Sequence, residues 1–204
     1  MSEELGLFPL PLVLLPAERI PLHVFEERYK DLIAQCLEEE REFGLVLVDD
    51  DGRREVGTRA KVVEVLERFA DGRLNIVVEG GERFRLVDDT AGRSFDTALT
   101  DRVDDDEDPP PEAAASEALS LFRELRTLLE SDVDDPDERP PLSFGLAARV
   151  DFGSSARQQL IESTSERRRL ELMRRLLQRA VQKTRAERVR RDVAATNGRP
   201  PDIR

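Results

Sequence analysis

The chain has 204 residues, 37% of them charged and 39% hydrophobic, with a formal net charge of −12. That length allows one large domain or two small ones, and the acidic balance disfavours a general nucleic-acid binder, because phosphate contacts need Lys and Arg. Cys36 is the only cysteine, which excludes an internal disulfide, and the acidic MSEELG start lacks the basic region of a secretory signal. The expectation is a soluble cytoplasmic protein.

An apolar run, LFPLPLVLLP, occupies Leu7 to Pro16, and PLHVFEERY follows from Pro21 to Tyr29. Proline fixes its own φ and biases the preceding residue towards extended backbone. Pro9, Pro11, Pro16 and Pro21 therefore keep the run from becoming a helix, and it is too short and broken to span a bilayer. Short extended pieces with bends are expected, then a helix from Glu26 to Glu39. Its Leu32, Ile33, Cys36 and Leu37 have helical spacing. Strand-like stretches follow at Phe43–Val48, Arg59–Phe69, Leu74–Gly80, Glu82–Asp89 and Phe95–Val103. Asp and Gly turns separate them, and the Gly80-Gly81 pair is read as a bend. Short strands in this arrangement predict a small barrel or pseudobarrel.

Asp104 to Glu112 reads DDDEDPPPE, an acidic and proline-rich stretch expected to be a solvated linker. Helical periodicity begins at Ala113 and runs to Leu129. After a second Asp/Pro-rich break, Leu142–Val150 reads as a short helix. Ser154 is the expected N-cap of a helix at Ala156–Glu162. Ser163 and Glu166 have capping-box spacing and open a long helix through Leu170, Met173, Leu177, Ala180 and Val181. The expected division is a β-rich subdomain over 1–105, a linker over 106–112, a helical subdomain over 113–195 and a disordered tail over 196–204. The fold class is α+β: a β pseudobarrel with one inserted helix, then an α-helical bundle ending in a long helix.

Catalytic and metal chemistry find little support. His23 is the only histidine, so no multi-histidine metal site exists, and a packing or hydrogen-bonding role is expected. Cys36 sits on an apolar helix face as a small hydrophobe. The serines show no triad or dyad, and no GxxxxGK[ST] phosphate loop is present. No cofactor is expected. A peptide needs an apolar groove or an open strand edge. Phe8, Leu10 and Leu12 are candidates to line one; Glu26, Arg28 and Tyr29, with Arg83 and Phe84, are candidates for its polar edge. For each of these residues a role within the fold is the favoured reading. From Arg167 to Arg191 the chain has eleven basic residues against two acids, a local +9. Arg167, Arg168, Arg174, Arg175, Arg179 and Lys183 give this helix a basic face. It either docks a partner or compensates the acidic body of its own chain.

LFPLPLVLLPAERIPLHVFEERYKDLIAQCL, Leu7 to Leu37, resembles the opening of the Lon protease amino-terminal, substrate-binding domain. Gly57-Thr58, DGRLNIVVEGGERFRL (Asp71 to Leu86) and the stretch from Gln158 to Leu177 fit the same family in order. The resemblance spans Leu7 to Val181. It implies a PUA-like β pseudobarrel followed by a helical bundle. It also implies a stand-alone, non-enzymatic module for unfolded or extended polypeptide segments, acting as an adaptor or regulator in protein quality control. A further protein partner at the carboxy-terminal helix is possible, and no membrane association is expected. The alternative is an RNA-binding PUA-like protein using the basic helix; the acidic charge and the scarcity of aromatics weigh against it.

Overall fold

The computed structural model describes residues 2–91, 93–137 and 140–197, with side chains described as far as Arg191. Seven strands come first, with one helix among them: β1 (Glu3–Leu10), β2 (Arg19–Val24), α1 (Glu27–Glu38), β3 (Phe43–Asp49), β4 (Gly52–Arg53), β5 (Val56–Arg68), β6 (Leu74–Thr90) and β7 (Thr97–Arg102). Four helices follow: α2 (Glu112–Leu129), α3 (Leu142–Ala147), α4 (Ser154–Glu162) and α5 (Glu166–Asn197). The strands pair in the order β1–β7–β6–β5–β3, and β1 also pairs with β3, which closes the ring. The β1–β3 junction is parallel, from Leu7 opposite Gly44 to Leu10 opposite Leu47. The other pairings are antiparallel. Closure removes the free edges of the ring strands, while β2 attaches to β6 outside the ring path. The fold is the expected α+β arrangement of a β pseudobarrel with an inserted helix and a following helical bundle.

β6 is one continuous strand where two were expected. Its first half pairs with β2, its second half with β7, and both halves pair with β5. Gly80 does not bend it. A Cβ at Gly80 would lie 2.1 Å from the Leu15 carbonyl oxygen. The glycine lets the proline-rich loop approach the strand backbone. Two hydrogen bonds fix that approach: Ala17 N–H donates to the Gly80 carbonyl at 2.7 Å, and Gly80 N–H donates to the Glu18 carbonyl at 2.9 Å.

The same loop serves two cores. Leu14 packs in the barrel cluster with Leu32, Ile33, Phe43 and Ile76. Val13 and Leu15 pack in the helical cluster with Phe122, Phe144, Met173 and Leu177. Extended backbone turns successive side chains to opposite sides, so three consecutive apolar residues join both halves. β3 also reaches both cores, but along its length: Leu45 lies in the barrel cluster and Leu47, two residues on and on the same face, in the helical one. This accounts for an apolar run longer than one sheet face needs.

Local signals at the helix starts were misread. Gly153, at φ 80°, precedes α4, and Ser154 is already helical without a side-chain cap. The Ser165 hydroxyl, not that of Ser163, accepts the Arg168 N–H at 3.3 Å at the start of α5. Glu166 closes no capping box; it accepts the Ser143 N–H at 3.0 Å at the start of α3 and pairs with Arg169 of its own helix. α3 also ends at Ala147, short of Val150. α5 runs to Asn197, two residues into the expected tail; the rest of that tail lies outside the described residues.

Gly80→Ala is expected to cost about 2 kcal/mol or more through the clash with Leu15. Gly81→Ala, whose Cβ meets the flexible end of Glu42 at 3.1 Å, should cost less than about 1 kcal/mol. Urea unfolding midpoints of the two variants check this contrast.

Candidate functional site

Two buried arginines meet where the barrel joins the bundle. Arg83 on β6 is 5% exposed and Arg169 on α5 is 1% exposed. Asp105, inside the acidic stretch, bridges them through hydrogen-bonded ion pairs with both. Arg83 also donates to the Ile161 carbonyl at 3.0 Å and the Ser163 carbonyl at 2.6 Å. Arg169 donates to the Ser163 carbonyl at 2.8 Å, Glu166 at 2.9 Å and the Ser143 hydroxyl at 3.1 Å. The Phe144 ring lies under both guanidinium groups, 4.5 Å from Arg169 and 5.6 Å from Arg83, where its π face attracts cations. Burial pushes the Asp105 carboxyl up, but Arg169 and then Arg83 outweigh that and hold it below its ordinary value. Burial pulls Arg83 below the usual guanidinium value, and Asp105 only partly offsets it.

Asp106 and Asp108 of the acidic run are also tied down. Thr164 donates to Asp106 at 2.7 Å, and Ser165 and Arg167 donate to Asp108 at 3.0 and 3.1 Å. A second seam lies at Arg157 of α4, which pairs with Glu18 and donates to the Val13 carbonyl at 3.2 Å.

The eight proposed peptide contacts do not form one surface. Phe8 is buried and stacks on Tyr29, with ring centroids 4.1 Å apart. Arg28 lies over the other side of that pair, 4.4 Å from the Tyr29 centroid, and donates to Glu26 at 3.1 Å. Burial raises the Tyr29 hydroxyl pKa. Phe84 is fully buried. It fills the space where Gly44 and Gly57 lack side chains, since a Cβ at either would lie 2.7 Å from its ring. Arg83 belongs to the junction. Leu10 and Leu12 are half-buried against the barrel cluster. Only Leu10, Leu12, Glu26 and Arg28 keep accessible surface.

A different face is open. Among the described residues β2 pairs only with β6, which leaves its other edge free. The Gly80–Glu18 bond sets Ile20, Leu22 and Val24 as the positions bonded to β6. The backbone groups of Arg19, Pro21 and His23 then point to the free edge. Pro21 fits there because it has no N–H to give the ladder. On the outward side of this sheet, His23 bonds Asn75 at 2.6 Å and Asn75 donates to Glu67 at 3.0 Å. Phe25 stacks on His23 at 6.0 Å, and Phe69 meets His23 edge-on at 6.2 Å. Two bulges set pairs of β5 residues opposite single β6 residues: Val63 and Glu64 oppose Val77, and Leu66 and Glu67 oppose Asn75. Phe25 is 60% exposed, Leu66 53% and Val63 41%. Lys30 of α1 holds the hairpin turn by donating to the Asp71 carbonyl at 3.0 Å. The alternation of β2 could have located Phe25. Residues 20, 22 and 24 point inward, so 25 falls in the outward phase.

A cavity of about 290 Å³ lies between β1 and α1, with Cys36, Leu32, Arg41 and Arg93 in its lining. Burial pushes the Cys36 thiol up to about 11, so it carries almost no thiolate at neutral pH. Among the described residues, no group of three or more His, Cys, Asp or Glu is placed to hold a metal ion. No described helix is long and apolar enough to cross a membrane.

The basic residues of α5 divide into two sets. Arg174, Arg185 and Arg188 face α2, at 3.6 Å from Glu117, 2.5 Å from Glu124 and 2.5 Å from Glu130. Arg167 pairs with Asp108. Arg168, Arg175, Arg179 and Lys183 are exposed, with no carboxylate within 4.0 Å among the described residues.

Residues 4–179 match the family of the ATP-dependent protease La (LON) substrate-binding domain. The chain belongs to this family. Among solved structures it is similar to the Lon N-terminal domain protein from Xanthomonas campestris. The identity is 27% and the TM-score 0.65, over 83% of this chain and 95% of that one. The N-terminal domain of the Mycobacterium avium complex Lon protease shares the fold at 15% identity and a TM-score of 0.65, over 86% of this chain and 98% of that one. The chain is thus a substrate-binding domain by family. The match ends inside α5, so Lys183 and the residues after it lie beyond the Lon family segment.

Asp105→Ala is expected to lower stability by about 3–5 kcal/mol, because it strands two buried cations. The Asp105 pKa is depressed in the fold, so its contribution is present above the ordinary carboxylate value and is lost as pH falls below about 4. The stability difference between the natural chain and Asp105→Asn should shrink across that range, as read by urea unfolding at several pH values. Cys36 should react with a thiol reagent at pH 8 roughly a hundredfold faster in the unfolded chain than in the folded one.

Proposed function

We propose that this domain captures extended or unfolded polypeptide segments without cleaving them, on the outward face and free edge of the β2–β6–β5 sheet. The observation that carries this reading is exposed Phe25 next to the unpaired edge of β2, on a sheet that also exposes Leu66 and Val63 on β5. An extended segment offers the edge its backbone hydrogen bonds and lays alternate side chains over the aromatic group. Backbone pairing reads no sequence, and Pro21 withholds one donor from the edge. Binding is therefore weak and sequence-tolerant, which suits a domain that samples many clients. Family membership supports the substrate-binding role. Within the cell, the domain acts as an adaptor or regulator in cytoplasmic protein quality control.

The test is fluorescence anisotropy with labelled, reduced and carboxymethylated α-lactalbumin, an unfolded polypeptide. Phe25→Ser combined with Leu66→Ser should weaken binding by about tenfold, the effect of losing two partly buried apolar contacts. Folding stability should change by less than about 1 kcal/mol, because both side chains are exposed. The proposal fails if the natural chain shows no binding, or if the double variant binds as tightly as the natural chain.

A further inference from the structure

Independently of that face, we infer that the solvent side of α5 is a docking surface for an acidic α-helix of a partner protein. Arg175, Arg179, Lys183 and Arg190 are exposed on one side of the helix, opposite the buried Leu170, Met173, Leu177 and Val181. Their spacings of four, four and seven residues keep them in one row about 22 Å long. None has a carboxylate within 4.0 Å among the described residues. Arg168 continues the row by one heptad, and its charge is shared with Asp108.

The kind of partner follows from what α5 already binds. On its inner flank, Arg174, Arg185 and Arg188 pair with Glu117, Glu124 and Glu130 along α2. α2 itself packs on α5 through the shared apolar cluster, and the three Arg–Glu pairs along that contact show that cations of α5 already take carboxylates across a helix pair within this chain. Compensation of the chain's own acids accounts for the inner flank and leaves the outer row unmatched. α2 ends at Leu129, and Arg188 pairs with the residue after it. Beyond that point Val189 is 62% exposed, and Ala186 is exposed beside the row. A helix laid along α5 would cover these two apolar side chains and set its carboxylates against the four cations.

A nucleic acid fits less well. The phosphate strand of a B-form duplex winds through about two thirds of a turn over 22 Å, so a straight row meets only part of it. The described stretch from Arg175 to Arg191 has no aromatic side chain on which an unpaired base could stack.

The experiment is anisotropy with a labelled glutamate-rich helical peptide. A lysine-rich peptide of equal length, a duplex DNA and an RNA hairpin serve as comparison probes. The natural chain should bind the acidic peptide, and rising salt should weaken that binding. Arg175→Gln with Arg179→Gln, Lys183→Gln and Arg190→Gln should weaken it by about tenfold or more. The smaller Arg179→Gln/Lys183→Gln variant should fall between the two and guards against misfolding of the fourfold variant. Circular dichroism melts establish that each variant is folded. Three results would overturn the inference: no binding of the acidic peptide, equal binding by the folded variants, or tighter row-dependent binding of either nucleic acid.

Discussion

One buried ion cluster holds the two halves of this protein in register. Arg83 comes from the barrel, Arg169 from the last helix, and Asp105 from the segment that joins them. Burying two guanidinium groups is costly, and a single carboxylate shared between them offsets that only because nearly every other donor also finds a partner. The Ile161, Ser163 and Val103 carbonyls, the Ser143 hydroxyl and Glu166 supply those partners. Phe144 adds its ring beneath both charges. Such a cluster tolerates no displacement of the bundle against the barrel, because any shift leaves a buried donor unpaired.

The apolar side of the same junction is supplied by the proline-rich loop. Its prolines hold the backbone extended, so Val13, Leu14 and Leu15 alternate between two cores. Gly80 permits the close approach of that loop to β6, and Arg157 with Glu18 closes the seam from α4. Polar and apolar contacts therefore act on one boundary. The result is a rigid platform from which the β2–β6–β5 sheet and the solvent side of α5 project. Both surfaces owe their exposure to that rigidity. Phe25 and the row from Arg175 to Arg190 have no place in either core, and each is held outward by elements whose other side is buried.

The two surfaces differ in chemistry. The sheet offers a free backbone edge with aromatic and aliphatic side chains, which suits extended polypeptide of any sequence. The helix offers spaced cations with little apolar surface, which suits a defined acidic partner. A domain with both can hold a client on one side and a regulator on the other, without either competing for the same residues.

The elements of this fold were largely legible in the order of residues. Proline and glycine punctuation located most strands, and helical periodicity located α1, α2 and α5, because these are local consequences of backbone geometry. The strand ring, the shared loop and the roles of single charged residues were not legible. Asp105 is one of five consecutive acids with no local mark to distinguish it, and only the approach of two distant arginines selects it. Arg169 did carry a signal, since it lies in phase with Met173 and Leu177 on the buried side of α5. Phe8, Tyr29, Arg83 and Phe84 have the composition of a binding surface, yet the barrel closes over them. Sequence by itself determined the family, the element types and the two-part plan. Only the tertiary structure decided which polar and aromatic residues remain at the surface, because burial depends on contacts between residues far apart in the chain.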